Sequence, residues 1–506
     1  MSEASLYGSL VIRGTALLAA GTLALVSCGD SAGKRKAPGE VGGAAGAMSG
    51  GAAGAMEPSG GAGGAPAEAG AGGVAATTGG AGGELASAGA GGQPAPACSD
   101  ETCPEGVCIN DVCEPETVVA ANVNLSLDSL TAGRGCAESI AYSVLALDGS
   151  TATLASAPAA GCLAPNDEVL LINLQGTPSE HNNVGHWELL RIGTLLDADV
   201  TFTSAVARRY GTGVSNAGLG TTPTTQRVAL VRVPRFGRLV VGEGATVTAN
   251  AWNGALGGVL ALRAAQLDLA GSISAAALGY RAGRWSEDDI TCSNSIQTEA
   301  GESIGGRGSA STLRNLGASG GIGAGSTSFN SDNVVVSTPG HSQAGEPGFN
   351  PKGRTIGEVG AAYGAPDATA LTLGSGPGGG LTCIADPPGA TPYLDEQTTG
   401  RAGGIALLLA DDLQVQPTGS ITASPPDEAR DVAFAGGYVF LRGTSLSLGE
   451  GRVTALGSVG HRTLGPFAGQ TNRASPGYVV LAATTVSGTT DPPALSAAAT
   501  TPGLAP

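Results

Sequence analysis

Positive charge is what this chain has least of. It contains three lysines, Lys34, Lys36 and Lys352, and its 25 Lys+Arg face 42 Asp+Glu, for a net charge of −17. A surface that neutralises phosphates needs clustered cations, so nucleic acid is excluded as a partner. None of the three lysines has the glycine spacing of a P-loop. Aromatic residues make up 4% and charged residues 13%, about half the usual charged fraction. Long apolar runs are missing too. The N-terminal run, residues 15–26, would cover about 18 Å as a helix, short of the roughly 30 Å of a hydrocarbon core. Glycine is what fills the space: 85 of 506 residues. Its spread is uneven, so length alone overcounts the domains.

The short apolar run suits a secretory signal and ends in Leu25-Val26-Ser27-Cys28. That ending resembles the bacterial lipobox. Residues 1–27 are therefore read as a lipoprotein signal peptide, and Cys28 as the diacylated N-terminus of the mature chain. Two acyl chains anchor stably where one does not. The alternative is ordinary secretion with Cys28 incidental. Residues 28–97 hold the lipidated cysteine and a Gly/Ala-rich tether without aromatic residues. Such a segment cannot bury enough apolar surface to offset its ordering entropy, so it is expected to be a disordered leash. The membrane, reached through the lipid, is the expected partner. The expected location is the outer membrane or cell surface.

Setting Cys28 aside leaves eight cysteines in an exported chain, the pattern of a disulfide framework. Cys98, Cys103, Cys108 and Cys113 are evenly spaced in a small module, residues 98–117, read as two disulfides. The rival is a four-thiolate zinc site, but zinc ribbons pair closely spaced ligands across a long gap. Cys136 is expected to pair with Cys162, and Cys292 with Cys383. No metal ligands and no cofactor are assigned.

From residue 118 the composition turns to Val, Leu and Thr with period-two alternation. Tyr142–Leu147, Asp167–Leu174 and Val200–Thr203 read as strands of a small β domain, residues 118–226. Leu189–Leu196 fits helix or strand, and its surroundings favour strand. A loose repeat then occupies residues 227–490. Gly257-Gly-Val-Leu-Ala-Leu, Leu267-Asp-Leu and Gly271-Ser-Ile-Ser-Ala return as Gly403-Gly-Ile-Ala-Leu-Leu-Leu, Leu413-Gln-Val and Gly419-Ser-Ile-Thr-Ala. They return again from Gly436. Three short strands per turn of roughly 20 residues, none able to bury its own face, indicate stacked coils. The expected fold is thus mainly β: a right-handed parallel β-helix, solenoid-like, with long glycine-rich loops. The β domain and the disordered linker precede it, and a β-sandwich of hairpins is the alternative. Residues 283–400 are read as loop excursions, and 491–506 as a disordered tail.

Several segments carry a resemblance: Gln226-Arg-Val-x-Leu-x-Arg-Val-Pro, Ala251-Trp252-Asn253-Gly254, Gly257-Gly258-Val259 and Leu278-Gly279-Tyr280-Arg281-x-Gly283. Gly301-Glu302-Ser303, Ala362-Tyr363-Gly364 and Leu373-Gly374-Ser375-Gly376 join them. Together they look like a family of glycine-rich, exported surface proteins found in myxobacteria and other environmental bacteria, across about residues 120–490. Small cysteine modules after Gly/Ala tethers are similar to those of myxobacterial lipoproteins. The resemblance implies export and a repetitive β architecture. It implies no established activity and so no catalytic residues.

The chemical motifs are weak. Gly374–Gly379 satisfies G-x-G-x-x-G but is followed by Gly380 instead of a helix. Gly340-His341-Ser342-Gln343-Ala344 approximates a nucleophile elbow, but Pro339 precedes it and Gly345-Glu-Pro-Gly follows, so it reads as a polar loop. His181 and His186 lie five apart, on opposite faces of a strand, and read as loop residues. Asp268, Asp288, Asp289, Asp411 and Asp412, with Arg263 and Arg442, could serve a carbohydrate-active groove, yet no spacing selects an acid–base pair. Trp252, Tyr280, Trp285 and Tyr363 could form a ligand surface, or Trp252 and Tyr280 could be core. The sequence therefore points to a non-catalytic, lipid-anchored surface or envelope protein with an adhesive, matrix-contact or structural role. Its further partner would be an extracellular polysaccharide or surface protein. The alternatives are a lyase or glycosidase, or a glycan-binding module, on the same scaffold.

Overall fold

The computed structural model describes residues 106–109, 112–283, 301–307, 337–347, 359–378, 400–427, 433–461 and 471–497. The chain divides into Met1–Ala90, none of which is described, and Gly91–Pro506, which holds every described residue. The signal peptide, Cys28 and the tether lie outside the described residues. So do Cys98, Cys103, Trp285, Asp288, Asp289, Cys292, Cys383 and the tail from 498. The described residues form strands and no helix.

Long strands β2 (Val112–Val119), β10 (Arg235–Val241), β12 (Val259–Leu269), β14 (Ile405–Val415), β16 (Tyr438–Ser447) and β20 (Tyr478–Ser487) lie side by side in one sheet. Short strands β3 (Val123–Asn124), β11 (Thr246–Thr248), β13 (Ser272–Ser274), β15 (Ser420–Thr422), β17 (Val453–Thr454) and β21 (Thr490–Asp491) make a second sheet in the same succession. Every pairing between these successive strands is parallel. A sandwich of hairpins would pair them antiparallel. β1 (Gly106–Ile109) closes one end as a hairpin on β2, with Cys108 opposite Cys113 in register. β22 (Leu495–Ser496) adds a parallel step on β20, so the stack continues into the stretch expected to be disordered tail.

The in-register stack explains the repeat. Leu239, Leu267, Leu413 and Leu446 align from strand to strand and are each at most 1% exposed. Each contributes roughly 1.5–3 kcal/mol of apolar burial. The expected first two strands of each unit run together as one long strand. In β14 the bend falls at Asp411 and Asp412, both exposed, between inward Ala410 and inward Leu413. A coil body runs from the glycine before a long strand to the alanine after a short one. Gly258–Ala275, Gly404–Ala423 and Gly437–Ala455 are nearly equal in length, matching the period in the sequence. Each body closes tightly, with the amide of Gly404, Gly437 or Gly477 donating to the carbonyl of Ala275, Ala423 or Ala455.

Every large insertion leaves from that one corner, after a short strand and before the next long one. These are residues 276–403, 424–436 and 456–476. The fourth is itself folded. Strands β4 (Ala141–Asp148), β5 (Thr151–Leu154), β6 (Glu168–Gln175), β7 (Trp187–Leu196), β8 (Asp199–Phe202) and β9 (Arg227–Arg232) form a closed antiparallel barrel between β3 and β10. The β domain expected at 118–226 is thus an insertion into the stack. Arg227–Arg232, expected to open the repeat, closes the barrel by pairing with β4 and β6. Its alternation resembles a coil strand because both elements bury two faces.

That double burial places the barrel. Val169, Leu171, Val228 and Leu230 fill its interior, whereas Leu170, Ile172, Leu174, Ala229 and Val231 point outward into a second core. The other wall of this core is the outer face of the long sheet, including Ile405, Leu407, Tyr438 and Phe440. Trp187 meets Phe440 edge-on at 5.9 Å. The Arg263 guanidinium donates two 2.7 Å bonds to Glu168 across the same contact. The first halves of β12, β14, β16 and β20 are therefore covered on both sides, while the second half of β14 turns Asp411, Asp412 and Gln414 to solvent.

Candidate functional site

The insertions and the barrel end meet at a buried polar knot around Glu302, whose side chain is 2% exposed. Arg281 donates from Nε and Nη2 to its two carboxylate oxygens at 2.7 and 2.8 Å, and its backbone amide adds a third bond. Gln175, at the end of β6, reaches Glu302 at 3.3 Å and the Ser303 carbonyl at 2.8 Å. Arg227, at the start of β9, donates to Gln175 Oε1. The Trp252 indole N–H lies beside the Glu302 carboxylate without reaching good hydrogen-bond geometry. Burial alone would raise the Glu302 pKa, but the Arg281 bonds and charge outweigh it and hold the carboxyl below its ordinary value. Glu302 is thus an anion held in place, not a poised acid.

Local sequence explains the geometry. Gly254 has φ +105, and a Cβ there would lie 2.7 Å from Arg281 Nη2. Its glycine lets the guanidinium pass and bond the Asn253 carbonyl at 3.0 Å. Arg281 bridges Arg401 in antiparallel fashion, and Arg401 donates to the Trp252 carbonyl. Trp252 and Tyr280 are fully buried, packed edge to face at 6.0 Å. The Tyr280 hydroxyl donates to the Leu174 carbonyl of the barrel. These two are core residues that fasten the junction and not an exposed ligand surface. Their hydroxyl and indole groups belong to the knot, which leaves neither free to stack on a sugar.

A second knot surrounds His341. The ring is fully buried, with Nδ1 2.6 Å from the Gly436 carbonyl and Nε2 2.9 Å from Thr372 Oγ1. A carbonyl only accepts, so Nδ1 carries the hydrogen and Nε2 accepts from Thr372. Burial lowers the His341 pKa to about 4, leaving a neutral imidazole. Tyr363 stacks on it at 4.7 Å and donates its hydroxyl to the Leu373 carbonyl. Ser342 is occupied by the Pro476 carbonyl at 2.8 Å. The Gly340–Ala344 segment therefore fastens three loops together, without the strand and helix of an elbow.

The remaining sequence candidates are dispersed. Asp268 pairs with Arg238 at 2.6 Å, and Arg263 is committed to Glu168. Asp411 and Asp412 are exposed at the bend. His181 and His186 each face a separate backbone carbonyl, Thr177 and Arg209. Cys136 and Cys162 form the expected disulfide, with Cα atoms 5.2 Å apart. Among the described residues, no three His, Cys, Asp or Glu side chains cluster in a way that could hold a metal ion. Sequence reasoning quoted Arg227, Arg281 and Glu302 within its motifs but did not single them out, and it passed over Gln175 and Arg401. The available signal was a charged residue embedded in a glycine-rich, charge-poor stretch.

No protein-family model matches the chain. No curated protein matches it either. Among solved structures, the tailspike protein gp49 from Pseudomonas phage LKA1 is similar at 11% identity, covering 76% of this chain and 64% of that one, with a TM-score of 0.12. A likeness at that score carries no inference.

Proposed function

We propose that this protein is a non-catalytic, lipid-anchored scaffold of the cell surface or envelope. Its coil stack would be a right-handed parallel β-helix held on the Gly/Ala leash. Its role would be adhesion, matrix contact or envelope structure. The observation that carries the reading is that one corner of a regular stack releases every insertion. The stack is a regular ladder of parallel strands, and the barrel and the other insertions leave and re-enter it at that corner. Buried side chains pin the bases of those segments, the arrangement a display scaffold needs. The lipobox-like ending at Cys28 and the tether support placement outside the cytoplasm, and the disulfide fits an oxidising compartment.

The test compares cells expressing the chain with cells expressing Cys28→Ala. Expected are detergent-phase partitioning and removal by protease from intact cells for the parent, with release of the variant into the soluble fraction. Protection of the parent from protease would overturn surface display. Unchanged partitioning of the variant would overturn anchoring through Cys28.

A further inference from the structure

The two ends of the stack are built differently. At the end where the chain enters, the hairpin strand β1 has four residues, a short edge of the kind that discourages further pairing. At the other end β20 runs for ten residues, and β22 pairs with it at Val480 and Leu481. Residues 484–487 are exposed. The inward leucine column reaches this end uncovered. Val486 stands in register with Leu446, which is 1% exposed, yet Val486 itself is 47% exposed. Charge runs against the usual guard as well. β2, β10, β12, β14 and β16, all interior to the sheet, each carry a charged residue. β20 carries none, and none follows it before Asp491. Edge strands are ordinarily protected by charge or proline, because their backbone N–H and C=O groups template another strand.

We propose that this edge is a homophilic contact, in which β20 of one copy pairs antiparallel with β20 of a second copy. Its role in adhesion rests on the surface reading above, for which it supplies the partner. An extended strand meets both needs of the edge at once, hydrogen bonds for its backbone and apolar cover for Val486. Residues 482–487 lie between the β22 pairing and the turn at Gly488, whose φ is +92. Centring the pair between Thr484 and Thr485 sets Ala483 directly opposite Val486 of the second copy. Both face the core of the stack, Ala483 by its packing and Val486 by its register with Leu446. Directly opposed residues share a face, so the two cores run on through the joint. A net charge of −17 keeps copies apart elsewhere, and contact falls where the strand has no charge. Use of the same edge by both copies closes the assembly at two. The sheet runs in order from β1 to β22, so the pair places its two points of chain entry at opposite ends. That is the polarity of a contact between two facing surfaces.

The experiment is sedimentation equilibrium of the full chain carrying Cys28→Ala, so that no lipid contributes. Expected is a reversible monomer–dimer equilibrium, weakened at least about 10-fold by Val486→Lys. Val118→Lys, which alters an exposed valine of β2 near the other end, should leave it unchanged. Val486 is exposed, so the unfolding midpoint of its variant should stay near that of the parent. Beads carrying the chain by its N-terminus should clump, and beads carrying Val486→Lys should not. A chain that stays monomeric at about 100 μM would overturn the proposal, as would equal association in Val486→Lys. Growth beyond the dimer would overturn it in favour of end-to-end joining. A dimer that forms only after residues 498–506 are removed would also overturn it, because the occupant would then be the chain's own C-terminus. Dimers in solution without clumping of beads would overturn the contact between facing surfaces. None of these outcomes depends on anchoring through Cys28, so failure here is distinguishable from failure of the surface reading.

Discussion

Acidification should weaken this protein well before its carboxylates protonate, and His341 is the reason. In the unfolded chain its imidazole titrates near 6.5, whereas burial in the fold depresses it to about 4. A proton therefore binds the unfolded state preferentially between those values. The stabilisation of the neutral, buried ring is complete above pH 6.5 and is lost as pH falls toward 4. One pH unit corresponds to about 1.4 kcal/mol, so the loss is about 2 kcal/mol by pH 5 and about 3 kcal/mol by pH 4. Urea unfolding of the parent and His341→Gln from pH 7.5 to 5 isolates this contribution. The variant loses stability at every pH, but the gap between the two proteins should narrow by about 2 kcal/mol across the window. His186 is also depressed, chiefly by burial, and contributes equally to both proteins, so it cancels. Glu302 and Glu138 lie below the ordinary carboxyl value of 4.5, so their losses come at lower pH. A gap that stays constant from pH 7.5 to 5 would refute the buried, neutral assignment and with it the three-loop fastening.

Three further outcomes test the stack and the barrel. A Cβ at Gly437 would lie 2.0 Å from the Gly404 carbonyl oxygen, so Gly437→Ala should destabilise by about 3 kcal/mol. Gly135→Ala, where nothing lies within 4 Å, should stay within about 0.5 kcal/mol of the parent in the same urea titration. The Cys136–Cys162 bridge spans a sequence separation of 26, so replacing both cysteines with serine should cost about 3 kcal/mol. Retained stability would mean that the barrel's first loops are ordered without the bridge.

The coil bodies were legible because their signal is local. Alternation and glycine corners recur within a single coil, and Ile273 and Ile421, both fully buried in aligned positions, come from recognisable copies. The long strands carried a weaker signal. Val169–Ile172 and Ile405–Leu408 are buried on both faces, and continuous apolar runs do not reveal what covers the second face. For the same reason β9 read as a coil strand, since alternation specifies burial and not the neighbour. The Glu302 knot was not legible as a site. Its members span Gln175 to Arg401 and are brought together from six separate stretches of the chain, with no fixed spacing to betray them. For Trp252 and Tyr280 the sequence left a ligand surface and a core role open, and the packing decides for the core, with both side chains fully buried.

The single exit corner ties these observations into one physical account. A parallel stack tolerates an insertion where its ladder is already interrupted, and the Ala-to-Gly corner is where the chain leaves one coil and enters the next. An insertion there lengthens a loop at an entropic cost that grows only logarithmically, while both sheets keep their register. Four insertions have used it, and the barrel, 276–403 and 424–436 bury apolar side chains against the outer face of the long sheet or against one another. The sheet's first half is accordingly apolar outside, as Ile405, Leu407 and Phe440 require, whereas its second half keeps Asp412, Gln414 and Thr485 in solvent. Glycine pairs such as Gly403-Gly404 and Gly436-Gly437 follow from the same geometry. At Gly403 a Cβ would lie 1.9 Å from the Ala423 carbonyl oxygen, and at Gly436 it would lie 2.2 Å from that of Ala455. The high glycine content is therefore partly structural in origin: it lets insertion-bearing corners close against one another, so that loops of very different length can rise from a stack of constant section.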